Sequence, residues 1–146
     1  MIRFIQKLFD DLSKEELYAI LKLRMEIFIL EQQSFYLDLD DQDQHAIHIF
    51  GVDENSTEPA CYGRITTQKT TAYIRRVCVR KDYREKGIGS LLMNQLLSHI
   101  DSLVIDSIEL DAQIHLQNFY GKYGFCEFGQ PYDDGGIMHI MMKKAK

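Results

Sequence analysis

The chain lacks any run of the roughly 20 apolar residues that a helical membrane span needs. Its first residues, Met1-Ile2-Arg3-Phe4-Ile5-Gln6-Lys7, also lack the unbroken apolar core of a secretory signal. Cysteine is scarce: Cys61, Cys78 and Cys126 are odd in number, far apart and form no CxxC pair. That argues against a disulfide framework or a zinc site and fits reduced thiols in a cytoplasmic protein. Cys78 falls in an apolar-basic strand pattern, where a free cysteine packs as a small hydrophobe more often than it acts as a nucleophile. A basic surplus is missing too. A net charge of −5 argues against a general nucleic-acid binder, which must neutralise phosphates.

What is present reads as an ordinary folded protein. Hydrophobic residues make up 45% and charged residues 27% of 146 positions, enough for one core and one domain spanning residues 1–146. Residues 2–9 alternate loosely, as an edge strand would. Ser13 followed by Glu16 forms a capping-box signature, and Leu17, Ile20, Leu21, Arg24 and Phe28 predict a helix over about 14–30. An acidic loop, 38–43, follows. Strands are expected over 45–52, 60–68 and 72–80, the last two as a hairpin. Ile88, Leu92, Leu96 and Ile100 recur four apart, with Leu91 beside them, and predict a helix with an apolar stripe. A strand over 104–112, a short helix over 115–123 closed by Gly124, and two strands, 125–128 and 137–142, complete the pattern around a turn at 131–136. Strands, helix, strand, helix, strands is the order of a mixed α/β or α+β fold.

The densest chemistry lies at Val77-Cys78-Val79-Arg80-Lys81-Asp82-Tyr83-Arg84-Glu85-Lys86-Gly87-Ile88-Gly89-Ser90. A strand ends, a loop crosses and a helix begins at the glycines. Without a Cβ, Gly87 and Gly89 let a ligand approach the backbone. The first N–H groups of the helix are free, and its dipole favours an anion there. Arg75, Arg76, Arg80, Lys81, Arg84 and Lys86 concentrate positive charge at this point of an acidic chain. The segment is neither a P-loop, since no Gly-Lys-Ser/Thr follows, nor a GxGxxG dinucleotide fingerprint. A pyrophosphate fits it.

Arg84-Glu85-Lys86-Gly87-Ile88-Gly89 resembles the [RQ]xxGx[GA] signature of the GNAT acetyltransferases. Val77-Cys78-Val79 is similar to the family's fourth strand, and Tyr120-Gly121-Lys122-Tyr123-Gly124-Phe125 to its Y-x-x-x-G-F helix ending. A wider resemblance, to the ElaA-like branch, rests on several marks. They are Leu23-Arg24 with Phe28 and Glu31-Gln32, Tyr36, Asp38 to Asp40, Ala112-Gln113, the run His115-Leu116-Gln117-Asn118-Phe119-Tyr120, then Tyr132, Gly136 and His139-Ile140. The sequence departs from the family at two points: Gln113 replaces a common asparagine, and Glu85 stands where glycine is frequent.

The resemblance implies a GNAT fold, a twisted and mostly antiparallel sheet splayed between its fourth and fifth strands and flanked by helices. It implies N-acetylation of a primary amine by direct attack on acetyl-CoA, with no metal. A homodimer stays open, and the charge and the lack of a long apolar run leave no nucleic-acid or membrane partner expected. On the matching positions, Arg84, Glu85, Lys86, Gly87, Ile88, Gly89 and Ser90 would hold the cofactor phosphates. Val77, Cys78 and Val79 would line its arm, and the backbone N–H of Val79 or a neighbour would polarise the thioester. Gln113 or Asn118 is expected to contact the pantetheine. Tyr120 matches the family's general acid, although Leu116 and Tyr120 also make an ordinary i,i+4 packing pair. Glu31, Tyr36, Asp38 and His139 are candidates for the acceptor side, and Glu31, Asp111, His45, His48 and His139 for the base.

Two other signals carry alternatives. The acidic run 38–43 could draw a cationic acceptor or be a solvated loop. An EF-hand is ruled out because its sixth position is Asp43 and not glycine. His45 and His48, three apart in a strand, face opposite ways and make a poor shared metal site. The rival to catalysis is a non-catalytic acyl-CoA-binding or sensing domain, which would not need Tyr120. A structural interaction module is a weaker rival.

Overall fold

The computed structural model describes residues 1–146. Seven strands form one sheet: β1 Ile2–Leu8, β2 Ile47–Asp53, β3 Pro59–Gln68, β4 Thr71–Val79, β5 Ser107–Gln113, β6 Cys126–Asp134 and β7 Ile137–Ala145, in the order β1-β2-β3-β4-β5-β7-β6. All neighbours are antiparallel except β4 and β5. Helices α1 (Lys14–Arg24), α2 (Ile88–Asp101) and α3 (Gln117–Gly121) complete the fold. No helix is long and apolar enough to cross a membrane.

Local signals explain most of the boundaries. The Ser13 hydroxyl accepts from the Glu16 N–H at 3.0 Å, and the Glu16 carboxylate accepts from the Ser13 N–H at 2.9 Å, so the capping box starts α1 as read. The stripe of α2 (Ile88, Leu92, Leu96, Ile100) is buried against the sheet in an 18-residue core that includes Ile65, Ile74, Ile108 and Leu110. A smaller core of seven residues joins α1 to the other sheet face through Ile20, Leu23, Phe50, Tyr62 and Cys78. Cys78 is thus a packing residue, and burial pushes its thiol well above the usual range. Gly124 takes the left-handed conformation expected after the short helix (φ 90°).

Three expectations change. The helix read over 14–30 is α-helical only to Arg24. Met25–Glu31 then widens into a π-helix, in which the Gln32 N–H reaches the Ile27 carbonyl at 3.1 Å. The turn read over 131–136 is only Gly135-Gly136, both at positive φ. Asp133 and Asp134 belong to β6, and Pro131 sits at a register irregularity between Phe128 and Tyr132. An edge strand tolerates a proline there because that side of the ladder needs no N–H. His45 lies in a single 3-10 turn before β2, not in a strand, while His48 is inside β2 and fully buried.

Parallel pairing of β4 with β5 runs only from Thr71↔Ser107 to Ile74↔Leu110. Beyond it the strands part, and the cause is local. Arg64 pairs with Arg75 and Tyr62 with Cys78, so Gly63 alone faces two β4 residues, Arg76 and Val77. This bulge bends β4 away from β5. Arg76 is left-handed (φ 59°), a conformation that costs a side-chain-bearing residue about 1–2 kcal/mol. Its guanidinium is tied to Asp38 at 2.8 Å and Asp40 at 3.3 Å, which offsets the strain.

Candidate active site

The splay exposes backbone. The Arg80 N–H donates to the Ala60 carbonyl of β3 at 2.8 Å. Polar groups alternate along a strand, so the Val79 N–H and carbonyl point the other way, to the side that β5 has left. The Val79 carbonyl accepts from Arg84 Nε at 2.8 Å. The Val79 N–H has no strand partner and faces the gap.

Two cavities meet there. The larger, about 710 Å³, runs from the splay to the start of α2 and is lined by Val77, Cys78, Val79, Arg84, Glu85, Gly87, Ile88, Gly89, Ser90, Gln113 and Tyr120, among others. The smaller, about 110 Å³, lies on the far side and is lined by Tyr36, Arg75, Asp111, Asp134, His139 and Tyr120, among others. Phe28, Gln32, Val77, Gln113 and Tyr120 line both, and Gln113 Nε2 donates to Gln32 Oε1 at 3.1 Å across the junction. The π-helix delivers Phe28 to this point, with Gln32 just beyond its end.

At the far end of the large cavity, α2 begins at Gly87 without any side-chain cap. The N–H groups of Ile88, Gly89 and Ser90 are therefore free for an anion. A Cβ on Gly87 would meet nothing within 4 Å, and one on Gly89 would meet only Phe119 at 3.5 Å and Val79 at 3.8 Å. Gly87 is left-handed (φ 76°), and so is Glu85 (φ 61°), which accounts for glycine being frequent at the latter position in the resembling family.

Tyr120 is 6% exposed and its hydroxyl makes no hydrogen bond within the protein. Burial, and secondarily the nearby Cys78, raise its pKa well above the ordinary tyrosine value, so it stays protonated and has a proton to give. Gln113 sits at the junction as expected of one pantetheine contact. His139 lines the small cavity; its Nδ1 bonds the Ile137 carbonyl at 2.7 Å and its ring stacks on Tyr132. Tyr36 lines that cavity, but its hydroxyl donates to Asp38 at 3.0 Å.

Other expected site residues are not brought to these cavities. Asn118 is exposed on the outer side of α3 and lines neither cavity. Lys86 turns back, donating to the Asp82 carbonyl at 3.1 Å and covering the Tyr83 ring. Asp38 is held by the buried Arg24 at 2.8 Å and by Arg76, so it has no free charge to offer an acceptor. Arg84 and Glu31 both line the large cavity but are paired with each other. The basic cluster at 75–86 is likewise largely matched: Arg76 by Asp38 and Asp40, Arg80 by Asp82 and Glu58. The free N–H groups at Ile88, Gly89 and Ser90, more than those side chains, would bind an anion.

The acidic run proves to be neither a solvated loop nor a cation trap. Arg24 and Arg64 are fully buried and share the Asp43 carboxylate, each at 2.7 Å, while Arg64 also binds Asp40. Burial alone would push the Asp40 carboxyl up, but Arg64 outweighs it and holds the group at about 2. His48 closes the cluster, with its ring nitrogens 2.7 Å from the Tyr62 hydroxyl and 2.8 Å from the Asp43 carbonyl. Burial lowers its pKa, so it is neutral and structural. Sequence reading missed the two buried arginines. The one available signal was an acidic run downstream of an arginine, Arg24, on an otherwise apolar helix face.

A family model described as an acetyltransferase (GNAT) domain matches residues 9–146. Protein ElaA of Escherichia coli (strain K12) is 35% identical over 141 residues, covering 92% of this chain and 91% of that protein. The crystal structure of Escherichia coli ElaA superposes with a TM-score of 0.91 at 33% identity and covers 99% of both chains. An acyl-CoA N-acyltransferase from Pseudomonas aeruginosa superposes with a TM-score of 0.92 at 30% identity, covering 99% of this chain and 100% of that one. An aminoglycoside 6'-N-acetyltransferase in complex with coenzyme A shares the fold, with a TM-score of 0.72 at 18% identity over 97% of this chain and 96% of that one.

Proposed function

Because the chain belongs to the GNAT acetyltransferase family, we propose that it moves an acetyl group from acetyl-CoA to a primary amine by direct attack. The observation that carries this reading is the junction itself. A partnerless β4 N–H and an unpaired, protonated tyrosine hydroxyl stand where a cofactor-sized cavity opens into a second, smaller one. The coenzyme A bound to the aminoglycoside enzyme of the same fold supports the choice of cofactor.

The cofactor would lie in the large cavity, its phosphates at the N–H groups of Ile88, Gly89 and Ser90 and its arm along Val77, Cys78 and Val79. When bound, acetyl-CoA supplies an electrophilic thioester carbonyl. The Val79 N–H would polarise that carbonyl as an oxyanion-hole donor, a contribution of about 3 kcal/mol where such donors have been removed. The N–C bond forms as the C–S bond breaks, and the Tyr120 hydroxyl gives its proton to the departing sulfur. A phenolate is costly in so buried a place, so the proton shed by the acceptor nitrogen must return to Tyr120. No cysteine is poised to form an acyl-enzyme: Cys78 and Cys61 are buried, burial pushes Cys61 up to about 12, and the exposed Cys126 lines neither cavity.

The test is a melting experiment with acetyl-CoA, CoA and ATP, followed by thiol release with a panel of amines. Acetyl-CoA at about 100 times Kd adds about 2.7 kcal/mol of stability. A rise with acetyl-CoA and CoA but not ATP, and amine-dependent thiol release, are expected. Binding without thiol release for any amine would favour a non-catalytic acyl-CoA sensor, and no binding at millimolar acetyl-CoA would end both readings.

A further inference from the structure

We propose that Asp111 selects the acceptor, favouring an aliphatic amine that carries a second positive charge about four carbons from the reacting nitrogen. The inference rests on the acetyltransferase reading and adds the substrate class.

Asp111 lies on β5 one residue past Leu110, where pairing with β4 ends although pairing with Met141 of β7 continues, and its side chain lines the small cavity. Its Oδ1 is buried without a well-formed hydrogen bond, an expensive state for a carboxylate oxygen, while the side chain as a whole is 28% exposed and opens on the cavity. The nearest cation, Arg75 Nε, stands 3.7 Å from the other oxygen, too long for a hydrogen bond, and its guanidinium is drawn off over the Tyr73 ring at 4.7 Å. The Tyr132 hydroxyl, its pKa raised by burial and then by the adjacent Asp111 charge, is a neutral hydrogen-bonding neighbour of this carboxylate and leaves its charge unmatched. The other charges on this wall do not match it either. Arg76 is spent on Asp38 and Asp40, Asp134 adds negative charge, and His139 Nδ1 is engaged by a carbonyl. A cationic group is what completes Asp111.

Register argues that this cation is not the reacting nitrogen. Asp111 and Gln113 point to the same face of β5, and Gln113 lines both cavities whereas Asp111 lines only the small one. Two strand residues span about 6–7 Å. A nitrogen attacking at the junction beside Gln113 and Tyr120 therefore sits well short of the Asp111 carboxylate. A short diamine bridges that separation, whereas a monoamine leaves the Asp111 charge unmatched. The cavity of about 110 Å³ suits a narrow aliphatic chain. Asp111 is thus a specificity-determining residue; the polarising N–H and the acid remain with Val79 and Tyr120.

The experiment compares 1,4-diaminobutane, 1-aminobutane and 4-aminobutanoate on the full chain, by calorimetric binding to the CoA-loaded protein and by thiol release from acetyl-CoA. The diamine is expected to bind about 10- to 100-fold more tightly than the monoamine, and the anionic amine least. Asp111→Asn should raise Kd and KM for the diamine by about tenfold or more and those for 1-aminobutane far less, while acetyl-CoA affinity stays within about threefold. Arg75→Gln, which frees the carboxylate of its partial counter-charge, should lower the diamine KM. Equal binding of mono- and diamine, preference for 4-aminobutanoate, or an Asp111→Asn effect of the same size on both amines would overturn the proposal. Absence of thiol release with the binding preference intact would instead count against the transferase reading and leave the diamine site standing.

Discussion

Replacing Gly89 with alanine should raise the stability of the free protein and lower its affinity for acetyl-CoA. Gly89 is the second residue of α2, and the added Cβ meets Phe119 at 3.5 Å and Val79 at 3.8 Å, both ordinary contacts. Its φ is not in the left-handed region, so alanine brings no backbone strain. The gain from helix propensity and reduced unfolded-state freedom is about 0.5–1 kcal/mol. For a chain of this size that raises Tm by about 1–4 °C. The bound state should move the other way, because the methyl occupies space that the phosphates need beside the free N–H groups. If affinity falls 100-fold, a ligand concentration that gave about 2.7 kcal/mol of stabilisation gives only about 0.4. Differential scanning fluorimetry with and without acetyl-CoA reads both effects in one plate. Gly121→Ala is the matched control: it is helical, its Cβ meets nothing within 4 Å, and it lies outside the cavities. An undiminished acetyl-CoA shift in Gly89→Ala would refute the close approach of phosphate to this backbone. A fall in the apo Tm would refute the packing argument.

Tyr120→Phe should keep the fold and acetyl-CoA affinity, since its hydroxyl bonds no protein group, while kcat falls by about 10²-fold or more in steady-state thiol release. Arg64→Met strands Asp43 and Asp40 with one guanidinium fewer and should cost about 3–5 kcal/mol, measured by urea unfolding. Acid should loosen the same cluster. The Asp40 carboxyl, held at about 2, and the Asp43 carboxyl, also lowered, stabilise the fold fully above the ordinary carboxylate pKa of about 4. That contribution fades as pH falls from about 4 toward 2, and Asp40→Asn should flatten this part of the stability–pH curve. An unchanged slope in the variant would place the acid sensitivity elsewhere.

Much of this protein was decided locally and could be read in its sequence. The capping box at Ser13, the stripe of α2, Gly124 after the last short helix and the Gly87–Gly89 start of α2 are short-range features, each set by residues within a turn or two of one another. The same is true of the order of elements and of the family signature. Side-chain destinations were not local. Arg84 and Lys86 looked like phosphate ligands by position, yet one reaches Glu31, 53 residues away, and the other folds back on its own loop. Asp38, Asp40 and Asp43 looked like free charge, but Arg24, Arg64 and Arg76 converge on them from a helix and two strands. Asp111 was one of five candidate bases until the fold set it in the wall of the small cavity, just past the end of β4–β5 pairing. Backbone preference and hydrophobic period act over a few residues, so one strand of sequence carries them. Charge pairing and burial depend on which distant segments meet, and only the folded sheet, with its bulge at Arg76, determines that.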